Sequence, residues 1–320
     1  MLAGALALAG CAWARGAANA PAAGDILPRS GPLRAATMGR LLLVDAVRIG
    51  NRIVAVGDRG YVVVSEDHGV HWARAVAPDA PLLTALEFTD AKHGWAVGHD
   101  EVIIATVDGG HTWTEQFRAP AEKRPLLDVT FVSHEAGIAV GAYGAYYETS
   151  DAGKHWSARK IIPDDRHLNA IVRIGEGRLL IVGEAGTLLA SDDAGRTWTP
   201  LASPYKGSLF GALVAADGAV VAFGLRGHIY RSTDGARTWT QVANPSAASL
   251  MGGTRFPDGG IVLAGAAGVA LVSRDDGRSF VSLATGTTSL LAKAVMAGPD
   301  AVLLFGEAGA REVPFPSQER

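Results

Sequence analysis

Six aspartates recur in one pattern, Ser/Thr-x-Asp-x-Gly-x-x-Trp. A row of carboxylates invites a reading as general acid–base or nucleophilic chemistry on a glycoside. The copies give Asp67 with Trp72, Asp108 with Trp113, Asp151 with Trp156, Asp193 with Trp198, Asp234 with Trp239, and Asp275 with Phe280. Successive aspartates lie 41, 43, 42, 41 and 41 positions apart. Glycoside hydrolysis needs two carboxyls within about 5–10 Å of each other. A period of this length puts each aspartate in the same turn of successive units, far from its neighbours. The six are therefore expected to build turns. In each turn the carboxylate accepts backbone N–H groups, the glycine two positions on tolerates positive φ, and the tryptophan folds back between units. Ala236 replaces the glycine of the fifth copy and Phe280 the tryptophan of the sixth, which predicts looser turns there.

The other reactive side chains form no recognisable constellation. A sialidase needs an arginine triad, a tyrosine nucleophile beside a glutamate, and an acid aspartate. Its Arg-Ile-Pro motif is absent, and Pro32-Leu33-Arg34-Ala35 does not match it. Tyr61, Tyr143, Tyr146, Tyr147, Tyr205 and Tyr230 fall in strands or hairpin turns. The nine histidines show no metal-ligand spacing with a carboxylate partner. His68, His71, His111 and His155 occupy variable positions of the Asp turn, and His99-Asp100 in a hairpin turn is the one pair to watch. G-x-S-x-G, H-E-x-x-H and a phosphate-binding glycine loop are all missing. No catalytic residue, cofactor or metal is expected.

The 320 residues are 48% hydrophobic and 19% charged, enough to bury a sizeable core. A net charge of −3 gives no long-range pull toward nucleic acid, and no internal stretch is long and apolar enough for a membrane span. Residues 1–20 resemble the back half of a secretory signal, with A-x-A sites at Ala12-Trp13-Ala14 and Ala18-Asn19-Ala20. This predicts export, and the missing basic n-region puts the expected true start upstream of Met1. Cys11, the only cysteine, lies in Leu8-Ala9-Gly10-Cys11. It is either a lipidation site resembling a bacterial lipobox or an incidental residue of a discarded signal. Without other cysteines, the folded part has no disulfide, no thiol catalysis and no Cys-ligated metal. Residues 21–37 read as a lead-in or tether that includes a closing strand, 38–313 as the repeat and 314–320 as a tail.

Each unit contains more than the Asp signature. An apolar run ends in Gly, a two-residue gap follows, and a second apolar run begins, as in Ile53–Gly57 and Gly60–Ser65. That is a β-hairpin. The first glycine recurs at 57, 98, 141, 183, 224, 265 and 306, and the second at 60, 144, 186, 227, 268 and 309, with Glu101 the exception. A leucine column (Leu42, Leu83, Leu126, Leu168, Leu209, Leu250, Leu290) opens one strand upstream, and a short segment follows each Trp. Seven units of four strands predict an all-β, seven-bladed β-propeller. The alternative, an open solenoid, has shorter coils without a hairpin per repeat. The last unit has three strands, and the lead-in around Pro28–Met38 is expected to supply its missing outer strand.

In such a ring the hairpin turns and interblade links share one face. Arg59, His99, Lys123, Arg124, Arg166, Lys206 and Arg226 fall there and are candidates for binding a partner, alongside acidic residues such as Glu184. A mixed-charge solvated surface would look the same, although flat faces do bind partners through polar rims and a few anchors.

The run Arg52-Ile53-Val54-Ala55-Val56-Gly57-Asp58-Arg59-Gly60, joined to the Asp signature, and the run His93-Gly94-Trp95-Ala96-Val97-Gly98-His99-Asp100 resemble the photosystem II stability/assembly factor-like family. The resemblance covers residues 38–313. It implies an exported, non-enzymatic, monomeric propeller of the periplasm or thylakoid lumen. It also implies a membrane protein or complex as client, either like photosystem II or an RND-type transporter. No individual binding residue carries over, because the matching motifs are structural. The competing class is a sialidase-like glycoside hydrolase, or a carbohydrate-binding propeller of the same repeats.

Overall fold

A computed structural model describes residues 30–315. The signal read over residues 1–20, Cys11 and the last five residues lie outside the described residues. Seven antiparallel sheets follow one another in chain order, so the chain is an all-β, seven-bladed propeller. The one α-helical turn among the described residues is Ala35–Met38. No helix among the described residues is long and apolar enough to cross a membrane.

Each blade runs from the ring axis outward. In the second blade, Leu83–Phe88 is innermost, followed by Gly94–Gly98, Ile103–Thr106 and Thr114–Phe117. The second strands are buried throughout, apart from a half-buried first residue such as Arg52 or Arg178, as expected for strands covered by blades on both sides. The outer strands are short and exposed, Ser157–Ala158 and Thr199–Pro200 having two residues each, which limits the unpaired edge each presents.

The inner strands share an irregularity. Every one shifts register next to its leucine, between Leu43 and Asp45, Leu83 and Ala85, Leu126 and Asp128, and equivalently in the remaining four. This bulge explains the seven-copy glycine column. A Cβ on Gly57 would lie 1.9 Å from the Leu42 carbonyl oxygen, and on Gly306 it would lie 2.0 Å from that of Leu290. The carbonyl before the bulge occupies the space a side chain would need. In the first and last blades the leucine opposite this glycine is Leu43 and Leu291, one residue beyond the column read from sequence.

The expected closing strand goes elsewhere. Gly31–Leu33 pairs with Trp72–Arg74 and adds a fifth strand to the first blade, while the seventh keeps three, Leu291–Gly298, Ala301–Gly306 and Gly309–Pro314. The helical turn then carries the chain over the last hairpin, where a Cβ on Gly309 would meet the Met38 carbonyl at 1.8 Å. Side-chain packing joins the two ends. Ile53, Val63 and Trp72 of the first blade share one core with Val295, Leu303 and Phe305 of the seventh. The last strand reaches one residue beyond the expected propeller end, and Phe315 is buried edge-on against Phe256.

Candidate functional site

Backbone bonds separate the two faces. Hairpin turns bond to the interblade links on either side, as Ala142 N–H to the Pro125 carbonyl of the preceding link and Gly186 N–H to the Gly207 carbonyl of the following one. Asp turns bond instead to the turns between first and second strands, as Gly109 N–H to the Lys92 carbonyl and Ala194 N–H to that of Gly177. The hairpin turns and links therefore form one face, and the Asp turns lie on the other.

All six Asp turns are built alike. The Ser65 hydroxyl donates to Asp67 Oδ1 at 2.9 Å and accepts from Gly69 N–H at 2.8 Å. Oδ1 also accepts His71 N–H at 2.8 Å, and Oδ2 faces His71 Nδ1 at 2.6 Å. In Asp108, Asp193 and Asp234 the side-chain partner is a threonine hydroxyl, in Asp275 a serine, and in Asp151 again a histidine. These donors hold Asp67, Asp108, Asp151 and Asp193 near a pKa of about 2, and lower Asp234 and Asp275 as well. Each carboxylate is occupied by its own turn. The looseness expected of the fifth copy does not occur: Ala236 N–H bonds to Ser232 Oγ at 2.9 Å, with Ala236 at φ 69°. Phe280 is buried too, like Trp72, Trp113 and Trp156, whereas Trp198 and Trp239 are half-buried. The residue before each aromatic is His, Thr or Ser in every copy, a sequence signal for the second carboxylate bond.

The hairpin face surrounds the mouth of the central tunnel. A depression of about 230 Å³ opens there, floored by Val44, Leu127, Phe210 and Met251 and edged by His99, His167 and Glu184. The floor residues each follow by one position the leucine that recurs in every blade, Leu43, Leu126, Leu209 and Leu250, so the strand pleat aims them at the axis. Desolvation lowers the pKa of His99, favouring its neutral form. Arg59, Lys123, Arg166, Lys206 and Arg226 are exposed around the mouth. Arg59 lies 3.6 Å from Asp58, and Arg166 Nε donates to Asp164 at 2.7 Å. Arg124 is different, being drawn inward to Glu101. Aromatic rings join the rim, with Tyr143 edge-on to His167 at 4.9 Å and Tyr205 stacked on His228 at 4.3 Å.

Sequence reasoning missed a belt of charges in the tunnel wall. Asp45 Oδ2 accepts Leu86 N–H at 2.9 Å and its Oδ1 meets Lys293 Nζ at 2.9 Å. Asp128 accepts Val129 and Ile171 N–H, and Glu87 accepts Phe131 N–H and pairs with Arg173 at 2.9 Å. These carboxylates reach from one blade to backbone amides of the next, and both oxygens of each are engaged. Their signal was a charge inside an apolar strand, as in Leu42-Leu43-Val44-Asp45-Ala46-Val47. Position in the ring pushes Asp128 up to about 7, desolvation outweighing its two amide donors although its surface is only half-buried.

The fold brings one histidine cluster together that sequence spacing did not show. Asp90, His93 and His134 bring three ligand atoms within 4.8 Å of one another, on the face of the Asp turns. His93 and His134 are 41 residues apart in sequence and adjacent only through the stacking of two blades, so spacing could not reveal them.

Among known proteins, a family model described as Photosynthesis system II assembly factor YCF48 matches residues 115–263. The Photosystem II assembly lipoprotein Ycf48 of Synechococcus sp. (strain CC9902) is 27% identical over 141 residues, covering 42% of this chain and 41% of that protein. The chain thus matches less than half the length of that relative. A solved structure described as YCF48 bound to D1 peptide superposes with a TM-score of 0.70 at 20% identity, over 93% of this chain and 100% of the other. An ancestral GH74 enzyme superposes with a TM-score of 0.68 at 12% identity, over 91% and 46%. At such identities the superpositions speak for the fold alone. In sequence and fold the chain resembles the photosystem II stability/assembly factor-like β-propellers.

Proposed function

We propose that the chain is an exported, non-enzymatic scaffold whose hairpin face holds an extended segment of an integral membrane protein or of its complex. The carrying observation is the apolar depression at the tunnel mouth, ringed by exposed cations and by aromatic and histidine side chains. Such a surface takes an apolar side chain into the mouth and polar backbone at the rim. The naming of relatives as photosystem II assembly proteins, and of a similarly folded protein as bound to a D1 peptide, supports a peptide client. The engaged tunnel carboxylates and Asp turns support a non-catalytic role. A photosystem II-like complex and an RND-type transporter are the two client classes. Tethering through a lipid on Cys11 agrees with the lipoprotein naming of two relatives.

The test is capture from solubilised membranes of the native host, with wild type and Phe210→Asp side by side. Recovery of a membrane protein by wild type and its loss with Phe210→Asp is the expected result. Recovery of soluble proteins alone overturns the membrane client, and hydrolysis of a sialoside or xyloglucan overturns the scaffold. Cys11→Ala should release the protein from the membrane fraction; unchanged fractionation rules out the lipid.

A further inference from the structure

We propose that Asp90, His93 and His134 form a binding site for a divalent transition-metal ion of the zinc type, clipping the second blade to the third. Asp90 and His93 lie in the turn between Leu83–Phe88 and Gly94–Gly98, and His134 in the equivalent turn of the next blade. Asp90 Oδ2 is 2.8 Å from His93 Nδ1 and 3.3 Å from His134 Nε2. Tetrahedral zinc, with bonds of about 2.0–2.1 Å, separates its ligand atoms by about 3.3 Å. To admit the ion the nearer pair opens by about 0.5 Å, and the two imidazole nitrogens, within 4.8 Å of each other, close toward the same separation.

The outer contacts orient each ligand. Asp90 Oδ1 accepts Lys92 and His93 N–H at 2.6 and 2.8 Å, which leaves Oδ2 for the ion. His134 Nδ1 lies 3.2 Å from Thr89 Oγ1, so a proton held there leaves the Nε2 lone pair free. Both turns are fixed from beneath, Lys92 by the Gly109 N–H and Glu135 by the Ala152 N–H. Two imidazoles and one carboxylate suit zinc, cobalt, nickel or copper, whereas calcium and magnesium favour all-oxygen shells. All three side chains are partly exposed, so water completes the coordination. The Asp67–His71 and Asp151–His155 pairs offer only two ligands each, which makes them internal controls.

Titration of the purified full chain with zinc chloride, followed by calorimetry, should show one strong site. The Tm should rise with zinc and return with a chelator. His134→Gln should weaken binding at least tenfold, Thr89→Val by about tenfold, and His155→Gln not at all. His134 is exposed, so an unchanged Tm in chelator will confirm that its variant folds. Cobalt should give the visible absorption of a low-coordinate site, lost in His134→Gln. Zinc binding that is absent, indifferent to His134→Gln, or equally weakened by His155→Gln overturns the proposal.

Discussion

Arg124 donates its Nε–H to the fully buried carboxylate of Glu101 at 2.7 Å, across the junction of the second and third blades. Glu101 stands where other hairpins carry glycine, and it holds the left-handed φ of 52° that the turn demands. Its other oxygen accepts the Tyr147 hydroxyl at 2.9 Å, and burial, followed by this neighbouring carboxylate, pushes that phenol up to about 12. A strained backbone and a desolvated carboxylate are tolerated because three side chains satisfy one another. Arg124 is therefore a strut between blades. Glu101→Gln should cost about 1–3 kcal/mol, since it strips charge from two donors while Arg124 can turn to water. Urea denaturation measures the loss. Spectrophotometric titration should show the Tyr147 pKa falling, which a purely steric role for Glu101 would not produce.

The glycine of each Asp turn can be separated from its neighbours by one pair of variants. A Cβ on Gly195, at φ 90°, would lie 2.4 Å from Ile138 Cδ1 of the preceding blade. Gly195→Ala should destabilise by about 1–3 kcal/mol through overpacking, with left-handed strain added. Ala236 already holds the equivalent place and is fully buried at φ 69°. In Ala236→Gly, relief of about 1–2 kcal/mol of strain is offset by the lost methyl and by glycine entropy. That variant should stay within about 1 kcal/mol of wild type in thermal denaturation. A large loss there would mean that the methyl packs better than the turn strains.

The repeat columns made the ring legible, because glycine at 57 and its six equivalents answers to a close carbonyl that recurs in every blade. Local signals ended where a choice lay between two remote partners. Nothing in Gly31-Pro32-Leu33 distinguishes the exposed edge at Trp72–Arg74 from that of the seventh blade, and only assembly decides it. The same limit hid His134 beside Asp90 and Asp45 beside Lys293, whose contacts exist once blades stack. The run Leu41-Leu42-Leu43 blurred the first strand by one residue, since three identical side chains carry no register. The tunnel mouth was legible as a face; its apolar floor became visible only when the bulges fixed which residues point inward.

Acid should unfold the ring through the Asp turns. Asp67, Asp108, Asp151 and Asp193 lie at about 2 when folded, against 3.8 for the ordinary carboxyl. The unfolded chain takes up protons first as pH falls, so the stability these bonds contribute is full above about pH 4. It is lost as pH drops through about 2. Thermal denaturation from pH 5 to pH 2 should show a falling Tm, with a shallower fall in Asp193→Asn. A slope that Asp193→Asn leaves unchanged would locate the acid sensitivity elsewhere.

Asp128 should act with the opposite sign. Its carboxyl sits in the tunnel wall at about 7 when folded, against an ordinary 3.8. Between those values the folded protein holds a proton that the unfolded chain has released, so stability declines as pH rises from 4 to 7 and is level beyond. Asp128→Asn should remove that decline, at the cost of one amide donor left facing the carboxamide nitrogen, since Val129 and Ile171 both require an acceptor. Chemical denaturation at pH 5 and pH 8 tests this directly: the variant should be less stable than wild type at pH 5 and recover relative to it at pH 8. A wild-type protein whose stability rises between those pH values, with Asp128→Asn following in parallel, would show Asp128 to be ionised throughout and held by its amides and Lys293.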